Sequence, residues 1–424
     1  MNGCEQKAND CIRRDDPRYF FSLDLAQQRR HSRAVIYWDN NATTPVDPSV
    51  IDAMAPYWRE EFFNPSASYP EAKRVRRAVE EAREAVAALI GAEPDEIIFT
   101  SGGTEATNAA MAQMGRTVVL ETEHPATLQS SGGAPRACVG PDGLADLDAW
   151  QRLVVGKQGA SFAWANHETG VVQPAVQLAE RARNAGALVH ADLVQAAGKL
   201  SIDLAACGVH YASLSAHKLH GPKGVGALYV ARGTGWTPWM RGGSQESYRR
   251  AGTENVPGIA GFGAAAALSL ARLEDYARIA RLRDRFEETL RELFPGEVTV
   301  HGATAPRLPH VSNVRIRGCS AESLTLLFEA EGLICSAGSA CTSSDPRPSH
   351  VLMAMGLSDR EIREALRFSM SRMTTEQDVE AALGIIVRAV AKIRAVQSAR
   401  TGPVTVYKPS QYSETSTGKT TPDR

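Results

Sequence analysis

The chain has 424 residues, 43% hydrophobic and 22% charged, with 47 Lys and Arg set against 48 Asp and Glu. That length suits two packed domains, and a charge balance so near neutral gives no reason to expect nucleic acid or an anionic membrane as main partner. The longest apolar run, 258–271, falls short of the ~20 residues a bilayer requires, and seven cysteines without a CxxC pair argue against a disulfide framework or a metal site and for a reducing compartment, the cytoplasm.

Residues 1–34 are polar, of mixed charge, and hold Cys4 and Cys11; they read as a poorly ordered N-terminal extension. Val75, Val79, Ala82, Val86 and Leu89 step by four and three along one helix face, and Gly91 stands where a helix-ending glycine belongs. Ile97–Thr100 is a short buried strand. Further strands are predicted over 118–120, 161–165, 188–190, 211–215 and 225–230, with a helix over 176–185 among the separators. This alternation predicts an α/β domain with a largely parallel sheet, spanning 49–277. A long, broken helical region follows over 258–293. Strands are then predicted over 311–316, 333–336 and 366–369. Ser358-Asp359-Arg360-Glu361 is a capping box, and Val379, Leu383, Ile386, Val390 and Ile393 make a last amphipathic helix, entered through Thr374 with Gln377 at its third position. These elements, with residues 35–48, predict a smaller α+β domain over 35–48 and 278–400. Residues 401–424, rich in Ser, Thr, Lys and Pro, read as a flexible tail.

Chemistry-bearing residues gather at predicted strand ends. Ser215-Ala216-His217-Lys218 runs into a Gly/Pro loop, with one lysine at its mouth. A lysine there can form a Schiff base with an aldehyde cofactor, of which pyridoxal phosphate (PLP) is the commonest, and an amine substrate then follows. Ser101-Gly102-Gly103-Thr104-Glu105 stands between a strand and a helix, either as a phosphate cradle or as a tight capped turn. Glu123-His124 puts an imidazole after a strand, able to stack on a ring and shuttle protons or to serve as a structural histidine. Asn166, in Ala165-Asn166-His167-Glu168-Thr169-Gly170, could hydrogen-bond a cofactor or substrate. Asp192 would pair with a pyridine nitrogen or cap a helix, and Gln195 could donate to a ring oxygen. In an open α/β sheet, ligands gather beyond the carboxyl ends of strands, where these groups lie. Cys341 sits among small polar residues from Ser336 to Ser344, the setting of an accessible, reactive thiol. Cys138, Cys207 and Cys319 have no such setting. Arg367 is a charge within an apolar strand, to be met by a substrate carboxylate or by an internal salt bridge.

Together these residues resemble the PLP-dependent cysteine desulfurases of the NifS/IscS kind, within the class V aminotransferases. The resemblance runs from about Tyr37 to Gln397. It rests on Asp39 to Pro45, Thr100 to Glu105, Glu123-His124, Asn166 to Gly170, Asp192 with Gln195, Ser215 to Gly224, Arg250 to Asn255, the Cys341 loop and Leu366 to Ser369. It implies fold type I of the PLP-dependent transferases. It also implies a homodimer in which Thr253 reaches the phosphate of the neighbouring subunit. Lys218 would bind pyridoxal 5'-phosphate, with Asp192 on the ring nitrogen, Gln195 on the ring oxygen and His124 stacked on the ring. Gly103, Thr104, Ser215 and His217 would hold the phosphate, and Asn166 with Arg367 the carboxylate of L-cysteine. Cys341 would take the sulfur as a persulfide, releasing L-alanine, and hand it to an acceptor protein such as an iron–sulfur scaffold. The length of the cysteine loop places the chain in the mobile-loop branch. Two features depart from the family: Asn64 to Glu71 lacks its usual His and Gly, and the connections before Val118 and Leu144 are short. A selenocysteine lyase or an aminotransferase would share the fold, but the latter would not need Cys341. Removing residues 1–34, which lie outside the resemblance, is expected to leave dimer and cofactor content unchanged. Size-exclusion chromatography and absorbance of the truncated chain check this.

Overall fold

The computed structural model describes residues 35–337 and 348–399. The chain opens with a short strand, β1 (Ile36–Tyr37). The main sheet then takes β2 (Ile97–Thr100), β3 (Thr117–Leu120), β4 (Arg136–Ala137), β5 (Gly159–Ala163), β6 (Leu188–Asp192), β7 (Tyr211–Ser215) and β8 (Gly226–Val230). Their order across the sheet is β2-β8-β7-β6-β5-β3-β4. Strands β3 to β7 run parallel, and β8 is antiparallel to both β7 and β2. Every residue of β2, β3, β5, β7 and β8 is buried, as expected of a sheet covered on both faces.

Sequence periodicity explains the covering layers. The stepping valines and alanines of helix Pro70–Leu89 are buried in the core on one face. Helix Val256–Ala271 crosses it closely, because a Cβ on Gly263 would lie 2.5 Å from the Ala82 Cα. Helix Gly103–Met114 covers the other face through Ala106, Ala109 and Ala110, packed with Ile98, Val119, Tyr211 and Leu228. A second hydrophobic cluster joins Trp38 to residues from Tyr276 to Val390. At its centre Phe286 lies edge-on to Trp38 and to Phe368, with ring centroids 5.2 and 5.1 Å apart. Its sheet is antiparallel, in the order β12 (Ser336–Ala337), β13 (Ala365–Ser369), β10 (Val311–Ile316), β9 (Val298–His301), while β11 (Leu333–Ile334) pairs with β1.

Three expectations need correction. The strand expected over 333–336 is two strands, β11 and β12, in different sheets. The strand expected over 161–165 is β5, over 159–163, because the chain then folds back into a hairpin in which Ala165 bridges Val172 and Gly170 takes a φ of 76°. Helix Glu376–Ala399 is entered through Thr375 and Asp378, whose side chains accept each other's backbone N–H, one residue later than expected. The Thr374 hydroxyl is taken instead by the Ser371 N–H. The broken helical region expected over 258–293 is found as such: two helices, Val256–Ala271 and Asp275–Leu293, bent by 74°. Among the described residues no single helix is long and apolar enough to cross a membrane.

One buried ion pair holds a strained segment. Glu246, Ser247 and Tyr248 have φ of 47°, 56° and 63°, a region that costs non-glycine residues about 1–3 kcal/mol each. Glu246 is fixed there by both terminal nitrogens of Arg83, at 2.7 and 2.9 Å, and by the Phe99 N–H at 2.9 Å. Replacing Arg83 by Met leaves a buried carboxylate unpaired, and is expected to cost about 3–5 kcal/mol in denaturant unfolding. Burial also sets the acid stability. Nine of the ten histidines lie in the described chain, and in all nine burial pushes the imidazole below its usual range. The folded state keeps these rings neutral while the unfolded chain protonates them, so they stabilise above about pH 6.5 and that stability is lost as pH falls. Glu123, Glu168, Asp192 and Glu254, pushed up by burial, act in the opposite sense. Nine against four predicts a net loss of unfolding free energy between about pH 6.5 and 4, measurable by urea titration at stepped pH.

Candidate active site

Strands β2, β3, β5, β6 and β7 point their carboxyl ends to one edge of the main sheet, and the segment Asp39–Pro45 crosses above it. A cavity of about 370 Å³ lies between, lined by Asn41, Gly103, Thr104, His124, His167, Asp192, Gln195, Ser215, His217 and Lys218 among others. Residues drawn from the ends of β2, β3, β5, β6 and β7 thus meet in one place. A larger cavity, about 520 Å³, lies away from the strand ends, between helix Pro70–Leu89 and residues 244–254.

Lys218 stands on a single 3₁₀ turn after β7. Its Nζ donates to the Asn41 carbonyl and, at 2.7 Å, to that of Ala42. Asp192 ends β6 and accepts the Val194 N–H at 2.9 Å. Burial pushes its carboxyl up to about 6, against the backbone hydrogen bond and the Lys218 charge. Gln195 donates its amide to the Asn41 carbonyl at 3.1 Å, leaving a buried Oε1 without a partner. The Nδ1 of His124 accepts the Ala126 N–H at 3.1 Å and so caps helix Pro125–Ser130. This places the ring proton on Nε2. Burial first, then the charges of Lys218 and His350, depress this imidazole to about 4.

A second hollow, about 420 Å³, adjoins the first and shares Gly103, Thr104, Ser215 and His217. It opens at the start of helix Gly103–Met114, where free backbone N–H groups and the helix dipole favour an anion. A Cβ on Gly103 would sit 2.7 Å from the Val194 Cγ2, so only glycine keeps this wall open. His217 Nδ1 lies 3.0 Å from the Thr43 hydroxyl. Glu105 also lines this hollow, with its charge already met: its carboxylate accepts the Ser101 N–H and two bonds from Arg250, which outweigh the upward push of burial.

Three expected residues stand apart from the cavity. Asn166 is buried and organises its own loop, donating to the Thr122 carbonyl and accepting from the N–H groups of Glu168 and Thr169. Arg367 donates to Asp39 Oδ1 at 2.7 Å, to Ser336 Oγ at 3.0 Å and to the His167 carbonyl at 3.1 Å. Thr253 is exposed and lines a separate hollow of about 150 Å³. Cys341 lies outside the described residues. Cys207, Cys319 and Cys335 are buried, and burial pushes their thiols up; Cys138 is exposed.

Some site residues escaped sequence reasoning. Asn41 acts through its backbone carbonyl, which no side-chain pattern reveals. Lys199 is a buried lysine whose Nζ donates to the Lys218 carbonyl at 3.1 Å and which burial depresses to about 7. His167 and Glu168 fall in a stretch whose only assigned member was Asn166. The signal available was a histidine and a glutamate beside a glycine hairpin at a strand end.

The matches to known proteins agree with this geometry. The family model for aminotransferase class-V matches residues 36–382. A protein named cysteine desulfurase from Sinorhizobium fredii is 44% identical over 377 residues, covering 85% of this chain and 97% of its own. Among solved structures, a NifS-like protein superposes with a TM-score of 0.78 at 32% identity, covering 84% of this chain and 100% of its own. SspA in complex with cysteine does so with a TM-score of 0.69 at 30% identity, covering 80% and 99%. Sequence, strand-end site and fold converge: the chain belongs to the PLP-dependent class-V aminotransferase family, in the group that holds the cysteine desulfurases.

Proposed function

We propose that the protein is a cysteine desulfurase that converts L-cysteine to L-alanine and receives the sulfur on Cys341. The observation that carries this reading is the convergence of Lys218, Asp192 and the Gly103 helix start on one cavity of about 370 Å³. The residues fit PLP. Gly103 leaves a wall that a Cβ would close, and Asp192 is a buried carboxyl facing a ring-sized space. When bound, PLP supplies an electron sink for the substrate's α-carbon.

In this reading Lys218 Nζ is the amine that meets the cofactor and afterwards holds the substrate's α-proton. Asp192 stabilises a protonated ring nitrogen, and that charge in turn draws the carboxyl down from its raised position. Gln195 Nε2, which donates to the Asn41 carbonyl, is the donor that would serve the ring oxygen. His124 covers the ring face and donates only through Nε2. Gly103, Thr104, Ser215 and His217 take the phosphate. Arg367 and Asn166 take the substrate carboxylate; Arg367 then shares its guanidinium with Asp39. The exposed position of Thr253, away from its own cavity, supports a homodimer in which it completes the partner's phosphate site. The acceptor of the Cys341 sulfur is a protein such as an iron–sulfur scaffold, met in the cytoplasm. The domain limits 49–277, and 35–48 with 278–400, follow from the same reading.

Wild type given L-cysteine and a reductant is expected to yield equal alanine and sulfide. Cys341→Ala is expected to keep the cofactor absorbance and make neither product, and Lys218→Ala to lose turnover by at least about 10⁴-fold. Cofactor absorbance without alanine in wild type would assign the chain another amine substrate.

A further inference from the structure

The desulfurase reaction, on which this inference rests, moves a proton internally. The Cβ–S bond of cysteine breaks, an S–S bond forms on the Cys341 sulfur, and Cβ gains a hydrogen. The thiol is oxidised to a persulfide while the carbon is reduced, so no outside redox partner is needed. The proton lost by the attacking thiol must be held and then returned to carbon. His124, the imidazole facing the cavity from β3, can give a proton through Nε2 but needs a store to reload it. Its Nδ1 already accepts the Ala126 N–H, and protonation there would uncap helix Pro125–Ser130.

We propose that His167 and Glu168 form the proton store of this active site, Glu168 holding the proton and the His167 ring passing it to the cavity. His167 lines the cavity, and its ring lies edge-on to that of His124 with centroids 5.5 Å apart. Its Nε2 is 3.7 Å from Glu168 Oε1, a separation that a small side-chain rotation closes; such bonds are commonly long before substrate binds. The other carboxyl oxygen accepts the Ser349 hydroxyl at 2.6 Å, and the Glu168 N–H is tied to Asn166 Oδ1 at 2.9 Å. Glu168 is therefore held through both its side chain and its backbone. His350, the third ring of the row at 6.4 Å from His167, donates its Nε2 proton to the Glu123 carbonyl at 2.8 Å. Of the three rings, His167 is the one set against a carboxyl.

The surrounding charges place the proton on the acid rather than on the ring. Burial, then His124, Arg367, His350 and Lys218, hold His167 well below the usual imidazole range. Burial pushes Glu168 up to about 7, offset in part by Ser349 and Arg367. A carboxyl poised there both gives and takes a proton near neutrality, which suits a store.

The test compares Glu168→Gln, which keeps the Ser349 hydrogen bond, with Glu168→Asp and His167→Gln. In the loaded enzyme Glu168→Gln is expected to lower kcat by about 10²-fold with KM for cysteine little changed, and to erase the limb near pH 7 from the kcat profile; Glu168→Asp restores part of it. In the cofactor-free protein, the ring ¹⁵N shifts of His167 are expected to step with pH near 7 in wild type and to stay flat in Glu168→Gln. Retention of kcat and of that limb in Glu168→Gln, or flat His167 shifts in wild type, overturns the proposal. Should Glu168→Gln fail to hold cofactor, an unchanged limb in His167→Gln overturns it equally. Absence of alanine from wild type overturns the desulfurase reading alone, since the ¹⁵N titration still decides whether the pair shares a proton.

Discussion

The active site hangs on Asn41. This residue is 2% exposed, and each of its polar atoms has a partner. Its N–H donates to Ser369 Oγ, its side-chain amide to the His167 carbonyl, and its Oδ1 accepts from His310 Nε2. Its carbonyl accepts from both Lys218 Nζ and Gln195 Nε2. One residue thereby ties the antiparallel sheet, the hairpin after β5, the segment after β6 and the lysine turn after β7. A buried polar group without a partner costs roughly 1–3 kcal/mol, so five satisfied bonds specify one arrangement and penalise any other. Thr44 extends the tie: its N–H and hydroxyl both donate to the His217 carbonyl, and its hydroxyl accepts the His220 N–H.

Around that tie the charges are arranged against their ordinary preferences. Lys199 donates to the carbonyl of Lys218 and is pushed down to about 7, while His217 and His220 are pushed down to about 4. Asp192 and Glu168 are pushed up. Burial is the largest cause in each case. A site built this way holds few fixed charges at rest, and Lys199, Asp192 and Glu168 stand near their point of change. A protonated ring nitrogen beside Asp192 and an anion at the Gly103 helix start would both find complementary partners.

Much of this was legible in the sequence for a physical reason. Strand-end residues such as Lys218, Asp192 and Gly103 follow from an apolar run meeting a glycine or a polar residue, a local pattern. The helix 70–89 followed from its 3.6 period. What was not legible depends on partners distant in sequence. Arg367 meets Asp39, 328 residues away, and Asn166 is drawn into its own hairpin; neither follows from neighbours. The break between β11 and β12 arises because β1 captures Leu333 and Ile334 while β13 captures Ser336 and Ala337, a competition between two sheets. The Thr375 cap displaced the Thr374 one because Ser371, three residues back, offers Thr374 a better bond.

The two hydrophobic clusters contain no common residue, and the segment between them at the sheet edge is polar. Trp38 is anchored in one cluster and Val50 in the other, so the chain from Asp39 to Asp47 must cross the gap. An apolar crossing would fuse the cores and fill the space above the strand ends. A polar crossing leaves that space open and fixes its walls by direction-dependent hydrogen bonds instead of by packing. The same choice makes the pocket sensitive. Arg372 paired with Asp47, and Arg367 paired with Asp39, hold the two ends of the crossing, so a ligand carboxylate that draws on Arg367 pulls on one end of the segment whose middle holds Lys218. In the proposed reading, substrate binding and lysine position are thus coupled through the short backbone run from Asp39 to Ala42, which an apolar core would have insulated.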